Sequence, residues 1–125
     1  MNTTINIIPH SRQRYETCGD WIFDDFGDLH IRISDTGNTD YEFLVGIHEQ
    51  IEAYLCNKRR IKEKDITRFD IQFEKNREEG NTDEPGDHIL APYRKEHQFA
   101  TKIERELAKE LDIDWNEYSK TIDEL

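Results

Sequence analysis

A chain of 125 residues with 34% hydrophobic and 36% charged side chains holds one small core under a heavily solvated surface, which excludes two independent domains. Its formal net charge of −11 repels phosphate backbones, so nucleic-acid binding through a basic surface is disfavoured and a cation or a basic partner protein suits the field. Six Phe, five Tyr and two Trp argue against disorder. No apolar run approaches the roughly 18 residues that span a bilayer, and no leader pattern opens the chain, so the expectation is a soluble, unexported protein.

Thr3 to Ile8 is short, β-branched and closed by Pro9, the mark of an opening strand. Trp21-Ile22-Phe23 and Leu29 to Ile33 flank an Asp- and Gly-containing turn, and the second run alternates apolar with polar residues. This predicts a hairpin within an antiparallel sheet of three strands, with Leu29, Ile31 and Ile33 facing the core.

A helix is expected over Tyr41 to Lys58, capped by Asp40, with an apolar stripe of Leu44, Ile47, Ile51 and Leu55. Asp65 is placed to cap a second helix carrying Ile66, Phe69 and Phe73, which Gly80 stops. Residues 80 to 90 form a polar loop that could serve as a lid or as plain connection. A third helix follows Pro92, with Tyr93, Ala100, Ile103, Leu107 and Leu111 on one face, and the Asp114/Glu117 capping box opens a fourth, Trp115 to Leu125. Sheet first and helices after make the fold class α+β, in a single domain over residues 1–125.

The chemistry-bearing residues fall on the two long helices. His48 lies inside the stripe of the first helix and Glu52 along its edge, and i, i+4 side chains can clamp one cation. An inward carboxylate is costly unless it is paired or coordinated. On the third helix, Glu96 lies within the stripe, while His97 and Glu104 share its edge. His48, Glu52 and His97 are therefore candidate ligands of one divalent metal ion, with Glu104 as a fourth ligand or as the partner orienting His97. Adding Glu96 would allow two bridged metals, but the paired Glu-x-x-His spacing of carboxylate-bridged bundles is missing. The plainer alternative makes these residues hydrogen-bonded core groups, with Glu52 or Glu104 answering Arg94, Arg105 or the Lys58-Arg59-Arg60 run.

Asp70 and His88 are weaker candidates for a ligand or substrate contact. His10 and His30 read as surface residues. Cys56 reads as a small buried hydrophobe, and neither it nor Cys18 sits in a CxxC spacing, which suits reduced thiols in a cytoplasm.

The motif Ile47-His48-Glu49-Gln50-Ile51-Glu52 resembles the HExxH helix of zincin metallohydrolases, with Glu52 in place of the second His. That resemblance implies His48 as a ligand, Glu49 as the general base and a zincin-like arrangement of strand and helices. Zinc is the first expectation for the ion, and manganese or iron also accept this nitrogen and oxygen set. Ile8-Pro9-His10-Ser11, Gly19-Asp20-Trp21 and Ala91 to His97 make the chain similar to small uncharacterised proteins of bacteriophages and prophages, which implies a host cytoplasm as its setting. The expectation is a metal-binding, metal-dependent hydrolase; the alternative is a non-enzymatic phage accessory or anti-defence factor whose acidic surface binds a basic host protein.

Overall fold

A computed structural model describes residues 1–125. Three strands, β1 (Thr3–Ile8), β2 (Gly19–Phe23) and β3 (Leu29–Ser34), precede four helices, α1 (Thr39–Lys58), α2 (Glu63–Lys75), α3 (Arg94–Glu110) and α4 (Trp115–Asp123). The class is α+β. No helix is long and apolar enough to cross a membrane.

The sheet has the order β1-β3-β2 and is mixed, where the sequence suggested antiparallel pairing throughout. β2 and β3 form the expected antiparallel hairpin, with Trp21 opposite Ile31. β1 instead runs parallel to β3, with Ile5 opposite Ile31. The hairpin rule governs only strands joined by a tight turn. Here residues 9–18 carry the chain from β1 past the site of β3 to the far edge, so β3 returns in the direction of β1. Gln13 fastens that crossing segment, donating its side-chain amide to the Arg32 carbonyl oxygen and the Ser34 hydroxyl.

Period-2 alternation buries Leu29, Ile31 and Ile33 under α1, as expected. The helices depart further from their apolar patterns. Along α1 the buried residues are Leu44, Val45, Gly46, His48, Glu49, Glu52, Ala53 and Cys56, while Ile47, Ile51 and Leu55 are only half-buried. The helix lies between the sheet on one side and α3 on the other, so it has two covered flanks instead of one stripe. On α3, likewise, Glu96, His97, Ala100, Glu104 and Ala108 are buried, and Leu111, just past its end, is exposed. Ala53 on α1 and Ala100 on α3 are both fully enclosed.

Helix boundaries follow the backbone hydrogen bonds. The N-cap of α1 is Asn38, not Asp40; its side chain accepts from the Tyr41 amide at 3.1 Å, so the helix starts two residues earlier than expected. α2 has no side-chain cap, and Asp65 lies inside its first turn. It ends at Lys75, and Gly80 turns the following loop at φ +83. Asp114 accepts from the Glu117 amide at 3.1 Å, as the capping-box pattern requires.

Both α1 and α3 close with a left-handed residue that is not glycine. Arg60 (φ +60) and Asp112 (φ +55) let the Ile61 and Ile113 amides bond back to Cys56 and Ala108 at 2.9 Å. That conformation costs an L-residue roughly 1 kcal/mol, so Asp112→Gly is expected to stabilise the chain by about that amount. Urea unfolding measures it, and a variant no more stable than the parent would contradict the strain.

Candidate metal centre

The buried flanks of α1 and α3 meet at His48, Glu52 and His97. The Nε2 of His48 lies 3.0 Å from Glu52 Oε2 and 3.1 Å from His97 Nδ1, and His97 Nδ1 lies 3.0 Å from the same Glu52 oxygen. Three donor atoms thus form a near-equilateral triangle. Tetrahedral bonds of about 2.0–2.1 Å would separate such atoms by about 3.3 Å, so a zinc-sized ion needs them to part by only a few tenths of an ångström.

The opposite edges of both imidazoles are held by carboxylates. His48 Nδ1 is 2.7 Å from Glu104 Oε1, and the Tyr118 hydroxyl donates to Glu104 Oε2 at 2.7 Å. His97 Nε2 is 2.7 Å from Glu84 Oε2. An ionised carboxylate only accepts, so each outer ring nitrogen carries the proton and, in the neutral rings, each inner nitrogen presents its lone pair to the triangle. Glu52 adds an oxygen lone pair, while its Oε1 accepts from the Trp21 indole at 3.1 Å. Three converging lone pairs repel unless positive charge stands among them, and a proton or a metal ion can supply it.

The titration behaviour follows from the same contacts. Burial works against charge on His48, but its hydrogen bonds to Glu104 and Glu52 prevail and hold it well above the usual imidazole range. Burial opposes charge on His97 too, yet Glu52 and Glu84 bring it up to about 10. For Glu52, desolvation is overcome by the two histidines, which bring it down to about 2.

Of the residues singled out in the sequence, His48, Glu52 and His97 come together. Glu104 does not point at the shared centre, and the imidazole it orients is that of His48, not His97. Glu96 is drawn away altogether: its carboxylate pairs with Arg59 at 2.6 Å, so it offers nothing to a second metal. Arg59 thus answers Glu96, and not Glu52 or Glu104. His88 lies outside the centre, with its ring beside Phe69 and Phe73. Cys18 and Cys56 are free thiols, and burial pushes both above the ordinary thiol range.

Glu49 is buried, makes no hydrogen bond or ion pair, and faces a cavity of about 360 Å³ that the histidines and Glu52 also line. Burial and the neighbouring Glu52 push its carboxyl well above the usual range. Gly19 makes room for it, since a Cβ there would stand 2.7 Å from Glu49 Cγ and Oε1. Gly86 does the same for His97, because a Cβ at that position would run into the imidazole ring.

Asp70 stands on another wall of the cavity and accepts from the Tyr93 hydroxyl at 2.6 Å and the Tyr15 hydroxyl at 3.0 Å. Sequence inspection missed Glu84, Tyr118 and Trp21. Glu84 sits in the polar loop after Gly80, where no periodicity marks an inward residue, and Trp21 and Tyr118 read simply as core aromatics.

No protein-family model, curated protein or solved structure matches this chain.

Burial raises Asp70 to about 7, against the two tyrosine hydrogen bonds that work to lower it. A carboxyl raised on folding stabilises while protonated, so its contribution is complete below the unfolded value of 3.8 and is lost as pH climbs through about 7. Between pH 4 and 8, roughly the span bracketing that loss, Asp70→Asn is expected to lose less stability than the parent in urea titrations. Parallel stability curves for the two proteins would contradict the assignment. Gly86→Ala is expected to displace the His97 ring, read as a changed imidazole chemical shift with the fold retained.

Proposed function

We propose that this chain is a metal-dependent hydrolase that holds one divalent ion, zinc in the first instance, on His48, Glu52 and His97. The observation that carries the reading is the triangle of inner donor atoms, 3.0–3.1 Å apart, with each imidazole fixed from behind by a carboxylate. Metal-binding histidines are characteristically oriented in this way by an acceptor on the far ring nitrogen. Two imidazoles and one carboxylate are a ligand set that catalytic zinc sites use, and manganese or iron accept it as well.

When bound, such an ion polarises a carbonyl or phosphoryl oxygen and acidifies water. The chain supplies the remainder. Glu49 is an unpartnered carboxylate facing the same cavity, suited to hold the proton that an attacking water gives up. Glu104 and Glu84 keep the imidazole protons on the outer nitrogens, and Tyr118 keeps Glu104 in place. The likeness of Ile47–Glu52 to the zincin helix points the same way. The free Cys18 and Cys56 suit a reducing host cytoplasm as the setting.

Protein purified without a histidine tag and dialysed against zinc is expected to retain one ion per chain by elemental analysis. His48→Ala should abolish retention, and Glu104→Gln should weaken it by about 10–100-fold. Absence of stoichiometric metal in the parent chain, together with unchanged stability of His48→Ala, would refute the site. Glu49→Gln is expected to keep the metal and lose hydrolysis. A variant that hydrolyses at the parental rate would remove Glu49 from the mechanism.

A further inference from the structure

Apart from His48 and His97, whose imidazoles a bound metal ion would keep neutral, the charged walls of the cavity beside the three candidate ligands are acidic. Asp70, Glu74, Asp83 and Asp123 join Glu49 on its walls, and no lysine faces it. Its arginine, Arg77, is already engaged: Nε and Nη2 donate to the Glu74 carboxylate at 2.8 Å, while Nη1 donates to the backbone oxygen of Asn81 and Nη2 also to that of Asp83. A divalent ion would bring two positive charges, whereas Glu52, Glu84 and Glu104 together bring three negative ones. Metal binding therefore leaves the cavity anionic.

Glu49 makes that field specific. It is 9% exposed, has no protein partner, and its carboxylate opens onto the cavity. A buried carboxylate without a partner is stabilised by a cation that arrives from outside. Away from the proposed metal, an anionic ligand meets the reverse: its oxygens would approach carboxylates, with no unpaired guanidinium or ammonium group to receive them.

We propose that the cavity selects substrates carrying an ammonium or guanidinium group, namely amides or esters of basic residues, and rejects phosphorylated ones. This rests on the proposed metal-dependent hydrolase for the reaction, while the charge selection itself rests on the cavity walls. It narrows the reaction to a carbonyl centre.

The test titrates the full-length chain, with and without one equivalent of zinc, with argininamide and with phenyl phosphate, following the Trp21 indole N–H resonance. Argininamide is expected to bind, and to weaken severalfold as salt rises to about 200 mM. Phenyl phosphate should bind at least about tenfold more weakly than argininamide. Glu49→Gln should weaken argininamide about fivefold. The exposed pair Asp83→Asn with Asp123→Asn should weaken it about threefold, and this second variant serves if the first fails to fold. Phenyl phosphate binding as tightly as argininamide, no argininamide binding, or binding unchanged in the variants, would each overturn the inference. If zinc does not bind but argininamide binds the metal-free chain with this charge dependence, the metal reading fails and the cationic selection stands. If zinc binds and argininamide does not, the selection alone fails.

Discussion

Three nitrogen and oxygen atoms aimed at one point are the constraint on which the centre of this protein depends. His48 Nε2, His97 Nδ1 and Glu52 Oε2 approach one another to 3.0–3.1 Å, a spacing that needs positive charge between them. The surrounding carboxylates enforce the arrangement, since Glu104 and Glu84 hold the ring protons on the far side. Without them each imidazole could turn or exchange tautomers, and the triangle would relax. The polar interior is thus organised from outside inward.

That organisation explains how so small a chain tolerates many buried ionisable groups. Each carboxylate but one has an assigned donor: Glu52 has Trp21 and the histidines, Glu104 has Tyr118 and His48, Asp70 has two tyrosines, and Glu96 has Arg59. Glu49 is the exception. A buried carboxyl without a partner is rare, and hydrogen bonds or ion pairs account for the others. An unsatisfied carboxyl beside a converging donor set, on the wall of an open cavity, is the chemical asymmetry on which the proposed site rests.

The fold places these groups through two accommodations. Gly19 on β2 gives the space that Glu49 occupies, and Gly86 in the loop before α3 lets the backbone lie against His97. Small residues on the helices pack closely too, with Ala53 on α1 and Ala100 on α3 fully enclosed. The net charge of −11 then appears at the cavity as well as on the surface, because the only arginine lining it is bound to its own neighbours.

Helical spacing alone put His48 with Glu52, and His97 with Glu104, on common faces, because residues four and seven apart are brought together by any α-helix. Alternation alone turned Leu29, Ile31 and Ile33 inward. Both are local properties of the backbone, written in adjacent residues. What the chain order could not express is which faces meet. The parallel pairing of β1 with β3, the burial of α1 on two flanks, the pairing of Glu104 with His48 and the arrival of Glu84 at His97 all join residues distant in sequence. Those contacts are decided by packing, since a buried polar atom takes whichever partner the tertiary arrangement brings within hydrogen-bond reach.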